Sequence, residues 1–288
     1  MSLRNRILAL AAILLTLNGC VNLDDAAGFS KLADESRVAL PKVSNDVAGT
    51  CVRQNTLLDN TPAPERDASQ QPQNCAPYQN VADHLAKDES VLADYFDALG
   101  KLASNKPLSY DANIDTNVAT VGGNTGLSAN TITATNDAQG ILKALADAAT
   151  RGYREKQLGQ LIQQNDAAIQ SLTQALKKVI TVDYALLLSN EETTLDNFYK
   201  GPMTAAKPNE RLALILVQRQ YAHDKAALQS RKDGISDYGK VMDDIAALHA
   251  KLKVQAGQKI SIADLAKQAA PIIQSLQTAL SDIRARSN

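Results

Sequence analysis

Two long stretches without proline dominate this chain of 288 residues, at 137–200 and 209–256. A proline inside a helix removes a hydrogen bond and clashes with the preceding turn, so stretches this long leave room for long helices. Apolar spacing fills them. In the second, positions 217, 221, 224, 228, 231, 235, 238, 242, 245, 249 and 252 alternate four and three, the spacing of a coiled-coil seam. Val217, Tyr221, Leu228, Ile235, Tyr238, Met242, Ile245 and Leu252 make most of it apolar, and Asp224, Arg231 and His249 interrupt it. The first stretch carries the matching seam at 158, 162, 165, 169, 172, 176, 179, 183 and 186, interrupted by Asn165 and Asp183. Gly201-Pro202 stops the first helix, and a turn over 201–208 makes an antiparallel αα-hairpin. Unbroken, the second helix would be about 70 Å long at 1.5 Å per residue. With the turn centred near 205, Asp183 falls close to Arg231, and a salt bridge between them would fix the register. Ser189-Asn190-Glu191-Glu192 has the form of a capping box, so one helix is expected to end near Leu188 and another to begin.

The rest of the chain extends this helical pattern. Ala and Leu carry the apolar content, and aromatic residues are only 4% with no Trp. That mix favours helices over strands. Phe29, Leu32, Ala33 and Val38 step at helical spacing until Pro41, and a further helix is expected over 44–58. Residues 77–103 repeat apolar side chains at three and four, with Pro77 in the first turn. Ser261 and Asp264 begin a last helix running to about Arg284, kinked at Pro271. A Pro-rich loop is expected at 59–76. A Ser/Thr/Asn/Gly-rich irregular segment follows at 104–136, where the alternation in NVATV and NTITAT permits a small hairpin or a plain loop. The predicted fold class is all-α: an elongated helical bundle with a long antiparallel αα-hairpin and coiled-coil-like packing, in a single helical domain over 28–288.

Residues 1–20 read MSLRNRILALAAILLTLNGC. Arg4 and Arg6 precede an apolar run too short to span a bilayer and of the right length for a signal-peptide core. The run ends in Leu17-Asn18-Gly19-Cys20. This resembles the lipobox of bacterial lipoproteins, with Asn18 a departure from the usual Ala or Ser. The resemblance implies removal of residues 1–19 and lipidation of Cys20 by thioether-linked diacylglycerol and an N-acyl chain such as palmitate. Residues 20–27 would then be a lipidated tether. By the same resemblance, Val21 in place of Asp after the Cys implies the outer membrane, facing the periplasm. Several acyl chains hold a protein stably where one does not. The processed chain would keep 28 basic against 31 acidic residues, with no attraction of its own to anionic lipid.

Export places Cys51 and Cys75 in an oxidising space, where paired cysteines form disulfides. Pro62, Pro64 and Pro72 between them exclude a continuous helix. Closing that loop would stabilise the fold by roughly 3–4 kcal/mol.

The sequence holds little chemistry. Balanced charge, with a formal net charge of −1, lacks the basic excess of a nucleic-acid binder. HExxH, GxSxG, GxGxxG and GxxxxGK[ST] are absent. DANIDTN at 111–117 lacks the Gly and Glu of a calcium loop. His84, His223 and His249 read as helix-surface or seam residues. Asp83, Asp88 and Glu89, and Asp243-Asp244, read as solvated acidic faces. Of the eight tyrosines, most are expected in the core with the hydroxyl at its edge. No catalytic, cofactor or metal residue is assigned. The expected function is a non-enzymatic binding or scaffolding lipoprotein whose partners are the membrane, through its anchor, and another envelope protein. The alternatives are an immunity lipoprotein neutralising a periplasmic toxin, or an accessory or enzyme of cell-wall metabolism.

Overall fold

The computed structural model describes residues 23–61, 72–104, 106–108, 128–150, 154–258 and 262–286. They form an all-α bundle, with no strand among the described residues. The signal segment 1–19, Cys20 and most of the 104–136 segment lie outside them.

α1 (Leu23–Asn60) and α2 (Ala76–Ala103) form an antiparallel pair. Their contacts run in opposite senses: Cys51 with Cys75, Ser44 with Glu89, and Arg37 with Asp94. The expected Cys51–Cys75 disulfide is present, with the Cα atoms 5.7 Å apart. Pro41 does not end α1. Phe29, Leu32, Ser36, Leu40, Val43, Val47, Cys51 and Leu58 make one buried stripe through it. Burying such side chains is worth about 1.5–3 kcal/mol each, which together exceeds the cost of about 3 kcal/mol for an interior proline. Of the expected tether, residues 23–27 are helical and open α1.

α3 (Ser128–Ala149) corrects the reading of residues 128–136 as irregular. NTITAT is helix, not hairpin. Thr131, Ala134, Thr135, Ala138 and Ile141 are buried at helical spacing. The threonines disguise the stripe, because a buried Thr returns its hydroxyl to the helix: Thr135 Oγ1 donates to the Thr131 carbonyl and also to Asp88.

α4 (Arg154–Lys178), a π-turn (Val179–Tyr184) and α5 (Ala185–Ala205) follow one another without a break. Neither the capping box at Ser189 nor Pro202 ends the rod. A 3-10 turn (Pro208–Glu210) leads into α6 (Arg211–Gly257), the second arm. The arms are antiparallel: Gln163 lies near Gly257, Lys177 pairs with Asp243, and Tyr199 with Asp224. The midpoints of such pairs fall close to Glu210, not 205. α7 (Ile262–Arg286) turns back along α6 and also runs beside α1, with Ile273 against Gly28 and Lys42 donating to the Arg284 carbonyl.

The π-turn moves the seam. Each π-turn inserts an extra residue into the helical repeat. Up to Val179 the buried positions are those expected; beyond it they become Ile180, Tyr184, Leu188, Glu191, Leu195 and Tyr199. Asp183 therefore misses the seam and accepts a bond from Asn130 at 3.2 Å, and Leu186 is exposed. The expected Asp183–Arg231 pairing is replaced: Arg231 pairs with Glu191 and Asp46.

Candidate interaction surface

The root of the hairpin is an ionic ring. Arg53 donates from Nη1 and Nη2 to the two oxygens of Asp46, at 2.7 and 2.8 Å, and from Nε to Glu191 at 2.9 Å. Arg231 reaches Glu191 from the other arm, and Tyr184, delivered by the π-turn, donates to Asp46. Burial disfavours the Arg53 cation, but its two carboxylate partners outweigh that and raise its pKa. A cleft of about 340 Å³ opens beside the ring, between Lys42, Asp46, Tyr184, Ser230, Arg231 and Arg286. The acids and bases around it neutralise one another: Arg286 pairs with Asp233 and Asp237, and Ser230 caps the Arg286 carbonyl.

Beyond the ring, the character of the hairpin changes. Leu228 is the first buried residue of α6; none of Arg211–Ala227 is buried. The polar contacts described for this segment that reach beyond it go to α5. Tyr199 donates to Asp224 at 2.6 Å, Tyr221 to Asp196 at 3.0 Å, and Lys225 reaches both Glu192 and Asp196. Lys232 also pairs with Glu192, whose carboxyl these lysines hold below its ordinary range. The inner seam is thin, with Phe198, Met203, Val217 and Tyr221 only partly buried against Leu195 and Tyr199. The predicted seam position Asp224 is thus one end of a tyrosine–carboxylate rung.

The outer face of this arm is apolar. Leu212 is 72% exposed, Ile215 42% and Leu216 58%. Ala222 and Ala226 continue the stripe and are exposed too. Arg211 and Arg219 border the stripe on the same helix and form no ion pair among the described residues. In contrast, the acids of the arm are engaged: Glu192 and Asp196 by lysines, Asp224 by Tyr199, and Glu210 by the Lys207 backbone N–H. The continuous apolar run LALILV at 212–217 satisfies the inner seam and the outer stripe at once, so the inner seam alone stands out in the sequence.

Cys20 lies outside the described residues, as do Tyr110 and Tyr153. Tyr95, Tyr184 and Tyr238 are fully buried, their hydroxyls bonded to His249, Asp46 and Glu89. His249 is the buried seam residue foreseen. Its Nε2 meets Tyr95 Oη at 2.7 Å and its Nδ1 meets Asp166 at 3.0 Å, so it joins α2, α4 and α6. It exposes no surface, whereas its partner Asp166 is partly exposed and also accepts from Lys253 at 2.6 Å. Burial holds its pKa below the usual histidine range, against the pull of Asp166. Asp88 and Glu89 are a correction: they are 2% and 1% exposed, not a solvated face. No group of three or more His, Cys, Asp or Glu suited to a metal occurs among the described residues. No described helix is long and apolar enough to cross a membrane.

Comparison with protein-family models, with curated proteins and with solved structures gives no match in any of the three.

Proposed function

We propose that this chain is a lipid-anchored binding or scaffolding protein of the bacterial cell envelope, periplasm-facing and non-enzymatic, which presents the outer arm of its hairpin to another protein. The observation that carries this reading is the solvent-facing stripe Leu212, Ile215 and Leu216 on an arm whose polar contacts beyond itself, among the described residues, go to α5. Contiguous exposed apolar surface with a polar rim marks interaction sites. The arrangement of the chain suits such a role. α1 runs parallel to the π-turn and α5, with Asp46 beside Tyr184 and Arg53 beside Glu191. Its N-terminal end, where the lipobox-type Cys20 would attach to the membrane, therefore lies at the opposite end of the rod from Leu212. With 47 residues in α6, the reach from one end to the other is about 70 Å.

Two measurements test this in the organism that makes the protein. Cys20→Ser should block acyl labelling and move the chain from the membrane to the soluble fraction. A photo-crosslinking residue at 216 should give a discrete protein adduct that one at exposed Val254, near the far end of α6, does not. Unchanged fractionation would remove the anchor. Identical crosslinking from both positions, or none from 216, would remove the docking arm.

A further inference from the structure

Resting on that reading, we infer that the partner presents an acidic amphipathic α-helix, which packs along Leu212, Ile215, Arg219, Ala222 and Ala226 as the third helix of a coiled coil. These five residues alternate three and four, which is the repeat that keeps one helix face turned toward a partner. All five are exposed. The inner seam formed by Val217, Tyr221, Asp224 and Leu228 lies on the other side of the same helix and is already occupied by α5. The arm therefore carries two seams, one filled and one open.

Charge selects among occupants. Arg211 and Arg219 are exposed and unpaired among the described residues, whereas the neighbouring acids are engaged. The residual field of the stripe is positive. A second copy of the chain would bring like charge against like charge, with Arg219 at the middle of each stripe. A helix with Glu or Asp flanking its apolar seam meets the same residues with opposite charge, as at the e and g positions of coiled coils. Side-chain size selects between a helix and a lipid surface. The stripe tapers from leucine at the tip to Ala222 and Ala226 toward the root. Alanines let a helix backbone approach closely but add little apolar area for insertion between lipids.

The probe is a synthetic four-heptad peptide with Leu at a and d and Glu at e and g, titrated against the full chain by fluorescence anisotropy. A peptide identical except for Lys at e and g is the control. The Glu peptide should bind at least tenfold more tightly than the Lys peptide, and the difference should shrink at high salt. Leu216→Asp and Arg219→Glu should each weaken it at least tenfold while leaving the thermal melt unchanged, since both side chains are exposed. Equal binding of both peptides, or binding of neither, overturns the inference. So does either of two other results that Leu216→Asp abolishes: concentration-dependent dimerisation, which would make the occupant a second copy, or binding to vesicles of phosphatidylglycerol and phosphatidylethanolamine, which would make it a membrane. A specific adduct from position 216 in cells together with failure of the peptide would leave the docking arm standing and remove only the acidic helix. Absence of both would remove the two together.

Discussion

Glu89 is held in the middle of the bundle by two donors on one oxygen. Ser44 from α1 and Tyr238 from α6, at 2.7 Å, both donate to Oε1, and Oε2 has no partner in the structure. Burial raises its pKa to about 8, even though both donors favour the ionised form and nearby Asp88 disfavours it. Burial likewise raises Asp88 to about 7, against the bond from Thr135 and with Asp137 adding to the rise. A carboxyl whose folded pKa lies above its unfolded value binds its proton more tightly in the native state. Its contribution is complete below the ordinary carboxyl range and is lost as pH rises toward the folded pKa. The melting temperature should therefore fall as pH rises from about 5 to 8, and Glu89→Gln should flatten that slope and raise stability at pH 8. A melt of wild type that is flat or rising over this window would contradict the assignment. In the sequence these two residues read as solvated because Asp88 and Glu89 adjoin on a helix that also carries exposed acids. Nothing in their spacing shows that α1 and α3 close over both.

Helix by helix, close approach and open space can be told apart by glycine. A Cβ on Gly239 of α6 would come within 2.9 Å of the Thr181 methyl in the π-turn, so the arms touch there only because Gly239 has no side chain. A Cβ on Gly159 of α4 meets nothing within 4 Å. Gly239→Val should destabilise by about 1–3 kcal/mol through overpacking. Gly159→Ala should stabilise by about 0.5–1 kcal/mol through helix propensity. Urea denaturation of the two variants checks both signs. The helical elements themselves were legible where apolar spacing is regular. α2, α4, α6 and α7 lie close to where periodicity places them, and the inner seam of α6 is buried from Leu228 to Leu252 as expected. The failures share a cause, which is that packing overrides local signals. Pro41 sits inside a helix whose flanks are buried, the capping box at Ser189 lies within a continuous rod, and the Thr-rich start of α3 buries hydroxyls that count as polar in a sequence pattern; Pro202 is the exception, since α5 runs past it with no buried residue after Tyr199. The π-turn left no readable trace. One additional residue was enough to replace Asp183 by Tyr184 at the ionic ring, whereas the shift of the hairpin centre from 205 to about 210 comes from α5 continuing past Pro202 to Ala205.

At the scale of the molecule, the disulfide and the ring hold opposite sides of the same helix. Cys51 ties α1 to the start of α2, and Arg53, two residues on, ties it to α5 and through Glu191 to α6. Reducing Cys51–Cys75 frees a loop of 24 residues' separation and should lower global stability by about 3–4 kcal/mol. Denaturation with and without reductant measures this, and an unchanged midpoint would show that the pairing adds nothing to the constraint supplied by α1 and α2. The outer arm should behave differently from the bundle. With few buried residues beyond Leu228, its amides should exchange hydrogen well before those around Tyr95 and Tyr238, and Leu216→Asp should leave the global melt unchanged. The parallel contact of α1 with α7 also sets the order of assembly. Gly28 meets Ile273, its carbonyl accepts from Gln277, and Lys42 meets the Arg284 carbonyl, so residues from the two extremes of the described chain lie side by side. Such pairings close the longest loops and form late. During synthesis α1 therefore keeps that flank uncovered until α7, 242 residues further along at the Lys42–Arg284 contact, has left the ribosome.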